Sequence, residues 1–223
     1  YYKKKFNGTN SYPTKSKILI EFNAFHSYHI PVSYFANYLK NKYKCKLIAY
    51  FNYKIISSPF KENFINEIKW KLGNFFNIKN FGIFKSFGTN KIIKPNLNNE
   101  QIKNSNKIFN KLREKIFSKK DVLNIEINGI TIGDLVYDTY IKSKSKPTVL
   151  LDNEFYELLN DFCKLFIFWK TYFEENEIKA IVGVHTSYSF GIPIRIALKN
   201  NIPSYTVTFR KINKISDNMR FMS

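Results

Sequence analysis

The chain has 223 residues, of which 44% are hydrophobic, enough to fill the core of one α/β domain or two small ones. Its formal charge is +19, yet all but four of the 36 basic residues are Lys, spread over every segment among many Asn, Ile, Phe and Tyr. That is the profile of an AT-rich coding sequence and argues against a nucleic-acid reader, which leans on the bidentate fork of Arg.

Residues 1 to 16 are polar and basic and read as a poorly ordered leader. Lys17 to Phe22, with Ile18, Leu19 and Ile20 in a row, predicts a strand covered on both faces. A loop from Asn23 to Pro31 follows, then a helix with Val32, Phe35, Ala36 and Leu39 at helical spacing and Pro31 in its first turn. Cys45 to Asn52 predicts the next strand, so the opening is a β-α-β unit and implies a parallel sheet. A second helix carries Phe64, Ile65, Ile68 and Leu72 on one face, and Gly82 to Phe87 reads as a short strand. Ile102, Phe109, Leu112 and Ile116 mark a helix over 98–118.

From Val122 the pattern alternates like a strand. At Thr131, a residue suited to a helix N-cap, it turns helical through Ile132, Leu135, Val136 and Tyr140. Asp134 and Asp138 then share one helix face. A Lys/Ser-rich linker, 142–147, leads to a long helix over 152–176, with Phe155, Leu158, Phe162, Phe166, Trp169 and Phe173 in its buried stripe. A strand from Lys179, the loop His185 to Phe190, a short helix opened by Pro193 and a last strand complete the pattern. Alternating strands and helices predict a three-layer Rossmann-like domain with a mainly parallel sheet over 17–209. Residues 210–223 read as the start of a linker to a second domain absent from this chain. The chain opens on Tyr1 rather than Met and stops at Ser223 after a loop-like stretch, which is expected of a piece of a longer protein.

In an open parallel sheet, ligands bind beyond the carboxyl ends of the strands. Two polar, aromatic loops fall there, Asn23 to His29 and His185 to Phe190. Parallel topology predicts that they bring His26, His29, His185 and Tyr188, and so all three histidines, to one crevice. His26-x-x-His29 lacks an acidic or thiol partner, so no metal is expected. Asp134 and Asp138 read either as a solvated helix face or, beside a histidine, as general bases toward a sugar hydroxyl. Arg195 reads either as a surface cation or as a clamp for a carboxylate or phosphate. No Walker A, G-x-G-x-x-G or G-x-S-x-G pattern occurs. Cys45 and Cys163 form no CxxC pair, and no apolar run reaches the roughly 20 residues of a spanning helix, so a reducing, cytoplasmic setting is expected.

Two stretches, I-N-G-I-T-I-G-D-L-V-Y-D-T-Y-I over 127–141 and V-H-T-S-Y-S-F-G-I-P-I-R-I-A-L-K-N-N-I-P-S-Y over 184–205, resemble bacterial capsule and lipopolysaccharide glycosyltransferases of the GT-B type. The resemblance implies the N-terminal, acceptor-side half of such an enzyme, without a metal, with the nucleotide-sugar donor held by the missing domain. A surface polysaccharide or lipid-linked acceptor would lie beside His185, Asp134 or His26 as the base, ranked in the order His185, Asp134, His26. His29, Tyr188, Arg195 and Asp138 would contact substrate. A lipid-linked acceptor suits peripheral contact of the lysines with an anionic inner membrane, whereas nucleic acid is not an expected partner. A non-catalytic carbohydrate- or nucleotide-binding module and a basic nucleic-acid-binding protein stand as alternatives. The first loop departs from the family by lacking glycines, which puts donor-phosphate contact there in doubt.

Overall fold

In the computed structural model, residues 15–23, 26–52 and 64–216 are described. Strand β1 (Lys17–Glu21) is buried on both faces: Leu19 points into one core, and Ile18 and Ile20 into the other. Helix α1 (His26–Tyr43) starts earlier than expected, so Pro31 lies inside it. The cause is His29, whose Nε2–H donates to the Asn23 carbonyl at 3.0 Å and folds the presumed loop into the helix start. Strand β2 (Lys46–Tyr50) pairs in parallel with β1, as the β-α-β pattern requires.

Helix α2 (Phe64–Phe76) turns Trp70 and Gly73 toward α3 (Asn80–Ser86), while Ile65, Ile68 and Leu72 of the expected apolar face are exposed. Gly73 is needed there, because a Cβ would stand 2.8 Å from the Phe81 ring. The segment expected to be a short strand, Gly82 to Phe87, is mostly α3. Phe81, Phe84 and Phe87 recur at a helical interval and pack into one core. The strand is β3 (Thr89–Ile93), parallel to β2.

Helix α4 (Asn99–Arg113) opens with a capping box between Asn98 and Gln101 and ends before the expected 118. Ser118 caps a separate short helix, α5 (Lys119–Leu123). The expected strand from Val122 is instead the end of α5 followed by a minimal hairpin of β4 (Glu126–Ile127) and β5 (Ile130–Thr131). Its two-residue turn, Asn128-Gly129, has both φ angles positive (54° and 73°), as a type I′ turn needs. Thr131 lies in β5 and is not the N-cap of α6 (Gly133–Lys144), which starts without a side-chain cap. α6 also runs into the presumed linker and ends at Ser145 in a left-handed turn.

Helix α7 (Asn153–Glu175) matches its expected range, with the Asp152 carboxylate accepting the Phe155 N–H. β6 (Ile178–Gly183), a 3₁₀ turn (Tyr188–Phe190), α8 (Gly191–Lys199) and β7 (Ser204–Val207) follow. β8 (Ile212–Ile215) then returns antiparallel to β7, so the sheet continues past residue 209 through what read as linker. The expected leader, residues 1–16, falls almost entirely outside the described residues, as does the end of the chain beyond Ser216.

The sheet order is β3-β2-β1-β6-β7-β8, parallel except for β8. Side chains of α1 and α3 join the core on one face, and those of α7 and α8 the core on the other, with α4 packed along α7. This is a Rossmann-like α/β fold. Successive strands run outward from β1 to β3, and the chain then crosses back to place β6 on the other side of β1. The order of connection therefore reverses between β1 and β6.

Candidate functional site

The carboxyl ends of β1 and β6 meet at that reversal. Glu21 ends β1 with a side chain only 1% exposed, a position where a carboxylate must be fully hydrogen-bonded. One oxygen, Oε2, accepts the backbone N–H groups of Val184 and His185 at 2.7 and 2.9 Å. The other, Oε1, lies 2.5 Å from His185 Nδ1. Gly183 makes room for this approach: a Cβ there would sit 3.1 Å from Ile194 Cδ1 and 3.5 Å from Glu21 Oε2.

His185 keeps a third of its side chain exposed and leans on the Phe190 ring, 5.6 Å away. The hydrogen bond to Glu21 raises its pKa above the usual histidine value, against burial, with the Glu21 charge helping and Lys142 opposing. A proton held on Nδ1 by the carboxylate leaves the imidazole lone pair on Nε2. The pair therefore has the form of a histidine oriented and charge-stabilised by a buried acid.

The floor is rigid. Tyr50, level with Glu21 in the parallel register, is wholly buried, with Trp169 edge-on at 5.2 Å. Burial, then the Glu21 charge, pushes its pKa well up; its hydroxyl has no hydrogen-bond partner among the described residues. Buried Asn52 accepts the Trp169 indole N–H at 3.0 Å and donates to the Ser189 carbonyl at 2.9 Å, tying the 3₁₀ turn to the sheet. At the rim, Tyr188 holds a left-handed φ of 55°, and Lys142 Nζ lies 4.2 Å from the centre of its ring. A non-glycine residue held there is a local strain of the kind that gathers at ligand sites.

The other expected site residues divide differently. His26 and His29 meet each other edge-on, with ring centres 5.4 Å apart. His26 is exposed at the start of α1. His29 is 5% exposed, packs on Phe84 and holds the Asn23 carbonyl, so it is part of the scaffold and not a substrate contact. Burial lowers its pKa first, with His26 adding to the effect. Asp134 does not stand as a base beside a histidine. Both its oxygens accept from the Arg195 guanidinium, which also donates to the Thr131 carbonyl at 2.6 Å. Arg195 is accordingly a clamp, but its carboxylate belongs to the protein, and it locks α8 to the start of α6. Asp138, half-buried one turn on, has its pKa raised by burial and then by the Asp134 charge, with Arg195 opposing. Among the described residues no three His, Cys, Asp or Glu side chains gather as a metal site requires, and no helix is long and apolar enough to cross a membrane.

Glu21 was the residue missed. Its signal was present: a single acid closing a strand that is otherwise apolar on both faces cannot be left unpaired in the core. Lys142 and Asn52 carry no such mark, because their roles arise only from the crossing of α6 and β2 with the 3₁₀ turn.

No protein-family model matches the chain, and no curated protein is similar to it in sequence. Among solved structures, the chain is similar to a CDPS from Fluoribacter dumoffii, with a TM-score of 0.51 and 11% identity over 96% of this chain and 94% of that one. At that identity the likeness carries the fold alone. None of these findings points to a GT-B glycosyltransferase.

Proposed function

We propose that the crevice between β1 and β6 binds a hydroxyl-bearing carbohydrate and that the chain is the acceptor-side part of a glycosyltransferase of surface-polysaccharide synthesis. The observation that supports this reading is the Glu21–His185 pair at the sheet reversal. In an inverting transfer, the acceptor hydroxyl gives its proton to His185 Nε2 as its oxygen bonds to the anomeric carbon of the donor. The glycosyl–phosphate bond breaks, and the nucleoside diphosphate leaves with the electron pair. Glu21 stabilises the imidazolium and holds the ring in place. The Tyr188 ring offers an apolar face for a pyranose, with Lys142 over the ring. GT-B pairing with a donor-binding domain is part of this reading and rests on the resemblance of residues 127–141 and 184–205.

The test is binding followed by turnover. Saccharide fragments of bacterial surface polymers are titrated while the imidazole resonances of the three histidines are followed by NMR; shifts centred on His185 are expected. With a complete enzyme, His185→Asn and Glu21→Gln should lower kcat by about 100-fold or more while KM changes little. A kcat unaltered by His185→Asn, or shifts centred on His26, would remove the proposal.

A further inference from the structure

Helix α2 turns its more apolar side outward. Trp70 and Gly73 face α3, whereas Ile65, Ile68, Leu72, Phe75 and Phe76 are exposed, Phe75 by 78% and Phe76 by 63%. At helical spacing these five fall in one arc of about 100°. Scattered exposed apolar residues need no explanation, but a continuous stripe of five marks a surface that is covered in use.

The chemistry of the borders selects the cover. The only acid of the helix, Glu67, is turned aside to Lys94 at 3.6 Å. Exposed Lys69 and Lys71 flank the stripe, and exposed Lys79 follows its end. Beside Phe75 opens a cleft of about 520 Å³ with Lys71, Lys85 and Lys94 on its walls. An apolar face a few residues wide with lysines along its edges, on a chain of charge +19, matches an interface of acyl chains beneath anionic headgroups. We infer that α2 lies in the plane of an anionic lipid surface, with Ile65, Ile68, Leu72, Phe75 and Phe76 inserted and the lysines at headgroup level. This rests on none of the chemistry of the Glu21–His185 crevice.

Flotation tests it, using vesicles of phosphatidylcholine alone and of phosphatidylcholine with phosphatidylglycerol. The chain is expected to float with the anionic vesicles and to remain behind with the neutral ones. A triple variant, Ile68→Ser, Leu72→Ser and Phe75→Ser, should lower the bound fraction at least roughly tenfold. These side chains are exposed, so circular dichroism should show an unchanged fold; if it does not, the pair Lys69→Gln and Lys71→Gln is expected to weaken binding to the anionic vesicles. Equal flotation with both vesicle types, no flotation, or an undiminished folded triple variant overturns the inference. So does a lipid-free dimer that the triple variant dissolves, since a second copy would then be what covers the face.

Discussion

Removing Glu21 tests the core of the site directly. In Glu21→Ala the N–H groups of Val184 and His185 lose their acceptor, and His185 loses the partner that orients it. Each buried donor left without a partner costs about 1–3 kcal/mol, so orphaning two of them is expected to cost about 2–6 kcal/mol. His185→Ala should cost less, about 1.5–3 kcal/mol, because the carboxylate keeps both backbone donors. The double variant should then be less damaged than the sum, with a coupling of about 1.5–3 kcal/mol. Urea unfolding reads these values: with a slope of about 2 kcal/mol per molar, a 3 kcal/mol loss moves the midpoint by about 1.5 M. Glu21→Gln, which keeps one acceptor oxygen, provides the same cycle if Glu21→Ala does not fold. A coupling below about 0.5 kcal/mol would show that the two side chains do not hold each other, and the dyad reasoning would fail.

Half-buried His185 and buried His29 should bend the pH–stability curve in opposite senses. His185, whose pKa is raised, stabilises fully below about 6.5, and that contribution fades as pH rises through its folded value; His29, whose pKa is lowered, stabilises above about 6.5 and loses its contribution as pH falls. Thermal midpoints of His185→Gln and His29→Gln across this range check both signs, and a His29 variant that flattens the alkaline side contradicts them. Cys45 and Cys163 are buried, and burial pushes their thiols up to about 11 and about 12, so neither should react with a thiol reagent until the chain unfolds. Gly191→Ala should destabilise by about 1–3 kcal/mol, because its Cβ would meet the Thr186 carbonyl oxygen at 2.5 Å and Leu135 at 2.7 Å. Gly183→Ala should be milder, since it meets first a movable Ile194 methyl. Chemical denaturation ranks the two.

What could be read in advance follows from how local the signals are. Ile18 to Ile20, the stripe of α7 and the β-α-β opening fix a parallel sheet because each is set by near-neighbour spacing and burial. Gly82 to Phe87 misled because a short aromatic run fits a strand or a helix, and the packing of Phe81 on Gly73 decided it from outside the segment. The hairpin at Asn128-Gly129 was legible in its dipeptide, but the apolar alternation around it reads equally well as one longer strand. His185 could be found because it stands in a polar loop beyond an apolar strand. Its pairing with Glu21 depends on which strands are neighbours, and a chain of alternating elements does not state sheet order. The same limit separated the histidines: α1 begins at His26, so His29 is turned back into the helix rather than out toward the crevice.

The placement of the two tryptophans makes the molecule its own instrument. Trp169 is wholly buried and hydrogen-bonded through Asn52 to the turn that precedes α8, under the crevice. Trp70 lies on α2 against the wall of the lysine-bordered cleft. With Trp70→Phe, indole emission would report only events at the sheet reversal. With Trp169→Phe, quenching by brominated lipid would report only contact at α2. Two single-chromophore proteins thus allow events at the crevice and at α2 to be timed separately, without adding a label to either.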